Sequence, residues 1–154
     1  ESIGYNRIHE YEFNLVRTAF RALKQIGGVE IYVPESELGS VIPFDVAGID
    51  SRLTAEILRD DYGIGVRAGS FCTYEFMRKI KHISDEQDQK ISEEIDRGIT
   101  RNIPGVVRAS FGLVNKQEDV TRLVSAVTEI AQNGIEQYSQ QYKQDNTTGM
   151  WTKR

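Results

Sequence analysis

The chain has 154 residues and a formal net charge of −4, a composition typical of one globular domain that buries a core without disulfide bonds. It has no basic stripe for nucleic acid, no apolar run near the roughly 20 residues of a membrane span and no visible signal peptide, so we expect a cytoplasmic protein. Its single cysteine, Cys72, excludes an internal disulfide, and its two histidines, His9 and His82, are too far apart in sequence to predict a metal site.

Apolar spacing and turn residues divide the first half of the chain into a long helix, two strands and a second helix. The predicted bounds are residues 4–26, 30–33, 40–46 and 51–62. Gly27 and Gly28 end the first helix, and Asp50 or Ser51 is the candidate N-cap of the second.

The second half of the chain predicts a strand, two helices, a second strand and a final helix. The predicted bounds are residues 64–68, 71–81, 84–98, 106–111 and 115–134, and the spacing of Ile135, Tyr138 and Tyr142 allows the last helix to continue beyond Gly134. Ser84 and Gln87 have the spacing of a capping box, and Asn115 with Glu118 marks the start of the last helix. The last dozen residues are polar, and we expect them to be mobile.

This order of elements predicts an α+β fold with a mostly antiparallel sheet and helices packed on one face. We assign residues 1–134 to a small α+β domain and residues 135–154 to a polar C-terminal extension. The other face of the sheet would be uncovered and would pack against another domain or subunit.

Arg67 and Arg108 are the main candidates for a binding site. Strand alternation directs the apolar neighbours of each arginine to one face and the arginine to the other, beside small residues. A guanidinium presents a planar fork that suits a carboxylate or a phosphate. The alternative is an ordinary half-exposed sheet on which both arginines are solvated or ion-paired.

Cys72 follows Arg67 by five residues and is a candidate nucleophile. A reactive cysteine needs nearby positive charge or a helix N-terminus, together with solvent exposure. Cys72 lies near the start of the predicted helix 71–81, which fits both conditions. The alternative is a small buried hydrophobe, the usual role of a lone cysteine.

Two motifs resemble segments of a known enzyme family. Residues 66–72 (VRAGSFC) resemble the cysteine-bearing segment of cysteine desulfurases and selenocysteine lyases, and residues 107–120 (VRASFGLVNKQEDV) resemble their C-terminal strand and helix. Residues 42–46 and 55–58 also fit, so the resemblance covers roughly residues 3–133 in family order. These enzymes are class V aminotransferases that use pyridoxal 5'-phosphate.

The resemblance implies the small C-terminal domain of a fold-type I pyridoxal-phosphate transferase or lyase. It implies that Arg108 binds the α-carboxylate of an amino-acid substrate and that Arg67 lines the same pocket. It also implies that Cys72 is catalytic, attacking the substrate's sulfur or selenium and becoming a persulfide. The complete enzyme would be a homodimer whose N-terminal large domain holds the cofactor.

The sequence departs from the family at the cofactor. The family's Schiff-base lysine follows a histidine after a strand, and none of the seven lysines has that setting: Lys24, Lys79, Lys81, Lys90, Lys116, Lys143 and Lys153. The chain also begins without an initiator methionine. We therefore expect a fragment that lacks the large domain, binds no pyridoxal phosphate and is inactive alone.

Two alternatives remain open. Ser70 and Phe71 precede Cys72 where family desulfurases usually carry histidine or other polar residues, so the chain could belong to a class V aminotransferase or lyase without desulfurase activity. It could also be a free-standing α+β module that binds a ligand or regulates a partner through the arginine-bearing face.

Overall fold

Five α-helices, one short 3₁₀ helix at Glu35–Glu37 and six strands form within residues 4–154, the part of the chain that the computed structural model describes. The helices are α1 Tyr5–Leu23, α2 Ser51–Tyr62, α3 Tyr74–Ile80, α4 Asp85–Asp96 and α5 Gln117–Gln141. The strands are β1 Val29–Ile31, β2 Val41–Val46, β3 Arg67–Gly69, β4 Val106–Ser110, β5 Tyr142–Gln144 and β6 Trp151–Lys153. The first three residues of the predicted domain 1–134 lie outside the described range.

The predicted α+β fold is confirmed. Four strands form one antiparallel sheet in the order β1, β2, β4, β3. Alternation along β2 buries Ile42, Phe44 and Val46 as predicted, and alternation along β4 buries Val107 and Ala109 on the same side. Helices α1, α2 and α5 supply the rest of the core on this face.

Helix α1 enters the core only with its C-terminal half. Leu15, Ala19 and Leu23 are buried at helical spacing, whereas Tyr5 and Tyr11 near its start are exposed. The core of the fold therefore lies on one face of the sheet.

No helix within residues 4–154 combines the length and the apolarity needed to cross a bilayer.

The expectation that the opposite face is wholly uncovered is wrong, because α3 lies over part of it. On that face Val106 is fully buried and lines a groove together with Met77 and Ile80 of α3. Met77 and Ile80 are three residues apart, so they share one side of the helix. Helix α3 thus covers Val106 and leaves the neighbouring Arg108 half-exposed.

Polar contacts join α3 to α4. The predicted capping box is confirmed, since Ser84 Oγ accepts from Gln87 N at 3.2 Å and Gln87 Oε1 accepts from Ser84 N at 2.9 Å. The Tyr74 hydroxyl donates to Asp88 Oδ1 at 2.6 Å, and Arg78 lies 3.3 Å from the other oxygen of Asp88. The two helices therefore form one unit.

The last helix begins two residues later than predicted and continues beyond Gly134, as the spacing of Ile135 and Tyr138 allowed. Asp119 Oδ2 accepts from Lys116 N at 3.0 Å, so the helix starts at Gln117, while Asn115 Oδ1 accepts from Gly112 N. Gly134, at φ 67°, kinks the helix, which then continues to Gln141. A positive φ is readily adopted only by glycine, which explains the position of the kink.

The last dozen residues form a hairpin of β5 and β6, contrary to the mobility expected from their polar sequence. Tyr138 and Tyr142 are buried in the core, which ties the extension 135–154 to the domain. The indole Nε1 of Trp151 donates to Asp50 Oδ1 at 3.2 Å. Asp50 also caps α2, as predicted, by accepting from the backbone of Arg52 and Leu53.

We expect Asp50→Ala to lower the free energy of unfolding by about 1–2 kcal/mol, because it removes both the helix cap and the acceptor for Trp151. Urea denaturation followed by Trp151 fluorescence measures the change. Asp50→Asn is the control, since an amide oxygen can still accept both contacts. Equal losses of unfolding free energy in the two variants would contradict the role of the Asp50 side chain as helix cap and as acceptor for Trp151.

We also expect the contribution of Tyr74 to stability to decrease at alkaline pH. Burial and the hydrogen bond to Asp88 raise the pKa of Tyr74 from 10.0 to about 12. The native state therefore keeps a proton that the unfolded chain releases near pH 10, and the contribution is complete below pH 10 and is lost as the pH rises toward 12. Urea denaturation at pH 8 to 11 should show the stability difference between the protein and Tyr74→Phe narrowing, and a constant difference would refute this.

Candidate functional site

Arg67 and Arg108 are directly opposite each other on the antiparallel strands β3 and β4. Residues paired in this way project to the same side of a sheet, so both side chains lie on the face opposite the buried Val107 and Ala109. Arg67 is exposed and Arg108 is half-buried. The structure thus brings together the two arginines that the sequence singled out.

The charge of this pair is not neutralised by residues 4–154, since neither guanidinium has a carboxylate within 4.0 Å there. Nε of Arg108 is buried and has no hydrogen-bond partner in the same range. A buried donor without a partner costs about 1–3 kcal/mol, and like charges directly opposite each other repel. An anionic oxygen bound here would relieve both effects.

The ring of Phe71 is the contact that the two arginines share. The guanidinium carbon of Arg108 lies 4.0 Å from the ring centroid and that of Arg67 lies 5.4 Å from it. Each cation–π contact of this kind contributes about 0.5–1 kcal/mol. Sequence reasoning missed Phe71, because an aromatic residue beside a cysteine predicts no contact with a distant strand.

The loop that carries Phe71 has a constrained backbone. Phe71 and Cys72 have φ values of 54° and 61°, a conformation that side chains rarely adopt, and Gly69 has φ 130°. Each non-glycine residue in this region costs about 1–2 kcal/mol. The backbone N and hydroxyl of Thr73 donate to Ser70 O at 3.0 and 2.6 Å and close the turn.

Cys72 is exposed, which fulfils one of the two conditions for a reactive thiol. It does not lie in the helix, as the predicted bounds 71–81 implied, but in the loop before Thr73, the N-cap of α3. A helix of seven residues has only a small dipole, so α3 contributes little positive potential and the arginine pair is the candidate source of the second condition. Phe71 links Cys72 to that pair through adjacent backbone.

A close approach between two glycines sets the position of this loop. A Cβ atom on Gly105, just before β4, would lie 2.6 Å from the Cα of Gly69 at the end of β3. No real Cβ contact is that short, so only glycine allows the two backbones to lie this close. The start of β4 is thus packed directly against the residue at which the Cys72 loop begins.

A second polar centre lies on the same sheet face, at Asp45. Asp45 is 8% exposed and its Oδ2 bonds to Lys81 and, at 2.9 Å, to the hydroxyl of Tyr32. Burial lowers the pKa of Lys81, and the charge of Glu30 partly opposes this shift. Lys81 is the C-cap of α3, so the pair holds the end of that helix on the sheet.

The remaining polar candidates have structural partners. Asp60 pairs with Arg59, and Asp61 pairs with Lys153. His9 stacks on the Phe13 ring at 5.9 Å between centroids. In the described part of the chain, no three histidine, cysteine, aspartate or glutamate side chains form a group that could hold a metal ion.

Comparison with known proteins gives related enzymes. The model of the family "Aminotransferase class-V" matches residues 1–123. The "Probable cysteine desulfurase" of Halobacterium salinarum is 32% identical over 133 residues, covering 86% of this chain and 27% of the relative. The "Probable cysteine desulfurase" of Staphylococcus aureus is 30% identical over 128 residues, covering 82% of this chain and 26% of the relative. The chain thus spans about a quarter of the length of these relatives.

Two solved structures have a similar fold. The cysteine desulfurase CsdA of Escherichia coli superimposes with a TM-score of 0.66 at 22% identity, covering 87% of this chain and 28% of that one. The apo cysteine desulfurase of Thermococcus onnurineus superimposes with a TM-score of 0.64 at 28% identity, covering 83% and 27%. The first similarity shows the shared fold alone.

We expect Gly105→Ala to displace the Cys72 loop, because the added methyl group would collide with the backbone of Gly69. The rate at which Ellman's reagent modifies Cys72 should change, and the free energy of unfolding should fall by about 1–3 kcal/mol. Gly65→Ala is the matched control, since nothing lies within 4 Å of a Cβ there. A variant at Gly105 with unchanged stability and thiol reactivity would rule out the close approach.

Proposed function

This chain belongs to the class V aminotransferase family, and we propose that it is the small domain of a pyridoxal-phosphate enzyme of the cysteine desulfurase type. One observation carries the proposal: Arg67 and Arg108 lie side by side on one sheet face with no carboxylate partner among residues 4–154, and β3, the strand of Arg67, leads to the exposed Cys72. All three residues lie within the segment that the family model matches.

Arg108 binds the α-carboxylate of the amino-acid substrate in this proposal. It lies in the middle of a strand, with Pro43 opposite it on β2 and Arg67 opposite it on β3, so its backbone is held on both sides. The Phe71 ring covers the guanidinium and restricts its orientation. A guanidinium held in this way can bind both oxygens of a carboxylate by parallel hydrogen bonds.

Arg67 raises the positive potential at the same place. Its exposed guanidinium can bind a second acidic group of the substrate. The guanidinium of Arg67 lies farther from the Phe71 ring than that of Arg108, so the ring restricts the Arg67 side chain less. We therefore assign Arg67 to the lining of the substrate pocket.

Cys72 accepts the substrate's sulfur. Its thiolate forms an S–S bond as the carbon–sulfur bond of the substrate cysteine breaks, and the carbon takes up a proton. The products are alanine and a persulfide on Cys72, so no external oxidant or reductant is needed. The constrained, exposed loop suits this role, since a fixed thiol on the surface can meet a substrate and then an acceptor.

The residues of this chain do not fit a pyridoxal-phosphate site. A Schiff-base lysine must be free to react, whereas the partly buried Lys81 is paired with Asp45 and hydrogen-bonded to Tyr32. Lys90 and Lys153 also pair with carboxylates. We therefore place the cofactor, which supplies an electron sink, in a large domain of the same polypeptide, which we expect to form homodimers.

A related activity is the second candidate. Cys72 has no helix N-terminus of useful length beside it, whereas Arg108 has the features of a carboxylate site. A class V aminotransferase or lyase that uses no persulfide would keep Arg108 and would not need Cys72. Selenocysteine lyase activity would keep both residues.

The test uses the complete polypeptide that contains this chain, with its cofactor bound. We expect Cys72→Ala to abolish sulfide release from cysteine in the presence of a thiol reductant, while the cofactor's absorbance stays unchanged. Arg108→Lys should raise KM for cysteine roughly tenfold or more, because lysine cannot make the paired hydrogen bonds.

Arg17→Lys is the matched control and should leave the kinetics unchanged, because Arg17 lies on α1 and its guanidinium carbon is 5.2 Å from the centroid of the Phe13 ring. Sulfide release that persists in Cys72→Ala would reject the desulfurase mechanism. An unchanged KM in Arg108→Lys would reject the carboxylate site in either type of enzyme.

A further inference from the structure

We propose that the groove between α3 and the sheet binds the apolar side chain of the same acid whose carboxylate Arg108 binds. The groove would then admit an amino acid or related acid with an apolar side chain larger than that of cysteine, which is the substrate class suited to the second candidate, a class V aminotransferase or lyase that uses no persulfide. This inference rests on the role proposed for Arg108 and does not depend on Cys72.

The groove, with a volume of about 690 Å³, is in the size range of small-molecule sites. Val41, Pro43 and Val106 line it from the sheet, on the face that carries Arg108. Six residues of the β1–β2 connection also line it: Tyr32, Val33, Pro34, Glu37, Gly39 and Ser40. The surface is mostly apolar, as expected for a site that selects a hydrocarbon group.

Helix α3 supplies the remaining apolar residues. Phe76, Met77 and Ile80 line the groove, and they differ in exposure: Met77 is 4% exposed and Phe76 is 49% exposed. A large aromatic side chain that is half-exposed over an apolar groove gains contact area when a ligand covers it. The ion pair of Lys81 with Asp45 holds α3 in place, so the groove is largely preformed.

The charges identify an anion as the polar part of the ligand. Arg108 is the one basic residue among those that line the groove, and its buried Nε lacks a hydrogen-bond partner within residues 4–154. Glu37 is the one acidic residue in the lining and is exposed, so solvent screens its charge. A single carboxylate attached to an apolar group complements this arrangement.

The position of Phe71 connects the two parts of the site. Its ring stacks on the guanidinium of Arg108 and also lines the groove. A ligand with its carboxylate on Arg108 therefore has an aromatic surface beside its first carbon atoms. Because each buried methylene adds roughly fourfold to affinity, a longer apolar acid should bind more tightly than a short one.

The experiment titrates the 154-residue chain with three probes and follows backbone amide chemical shifts by NMR. The probes are acetate, 3-phenylpropanoate and 3-phenylpropanamide. We expect 3-phenylpropanoate to bind at least roughly tenfold more tightly than acetate, with shifts at Phe71, Phe76 and Arg108, and roughly tenfold more tightly than the uncharged amide.

Two variants separate the contribution of the apolar groove to binding from the contribution of Arg108. Phe76→Ser should weaken 3-phenylpropanoate and leave acetate unchanged, whereas Arg108→Gln should weaken both acids and leave the amide unchanged. Val114→Ser is the matched control, since Val114 is a large apolar residue that is 88% exposed and does not line the groove. Thermal denaturation of each variant checks that it is folded. The comparison of the three probes is made on the unsubstituted chain, so it tests the inference even if a variant does not fold.

Equal affinities of acetate and 3-phenylpropanoate would overturn the inference, and so would an amide that binds as tightly as the acid. These outcomes leave the proposed desulfurase activity standing if the complete enzyme releases sulfide. Conversely, tight binding of 3-phenylpropanoate to a protein whose complete form releases no sulfide would support the inference and reject desulfurase activity.

Discussion

The two positive charges paired across β3 and β4 are the feature on which the rest of the site depends. Arg67 and Arg108 face each other without a carboxylate partner in residues 4–154, and this arrangement is unfavourable unless something compensates it. The Phe71 ring supplies part of the compensation, since both guanidiniums lie against it. The positive charge that the Phe71 ring leaves uncompensated is available to bind an anion. A surface that is poorly satisfied by itself is therefore well prepared for a carboxylate.

The backbone geometry around the pair follows from the same constraint. Phe71, whose ring contacts both guanidiniums, and the adjacent Cys72 adopt left-handed conformations, at a cost of about 1–2 kcal/mol each. The direct contact of Gly105 with Gly69 places the start of that loop against β4. The cysteine is thus positioned through the aromatic ring that also orients the arginines. In the proposed enzyme, the group that binds the substrate and the group that accepts its sulfur would be mechanically linked.

The unit of α3 and α4 gives this domain a second feature on the same face. The buried Asp45 holds Lys81, and with it the end of α3, on the sheet. The result is an apolar groove that runs beside Arg108 rather than a bare sheet. The groove depends on the residues of α3, whereas the arginine pair lies on β3 and β4. In the proposed function, the two features together would select the side chain of the substrate.

The sequence by itself determined the features that rest on local rules. Alternation along β4 placed Arg108 on the sheet face that faces away from the buried Val107. The caps at Asp50 and Ser84 followed from hydrogen bonds between residues close in sequence. The two arginine motifs also indicated the family. These features need only neighbouring residues, so they can be read from a single chain.

Only the tertiary structure decided which distant segments meet. The register that sets Arg67 opposite Arg108, the stacking of Phe71 and the position of α3 over the sheet each join segments that are separated in sequence. The C-terminal hairpin is ordered for the same reason, since polar residues became strands by packing against α2 and by the contact of Trp151 with Asp50. Such contacts depend on the whole folded chain, because the free energy that selects them comes from burial and pairing between elements rather than from local propensity.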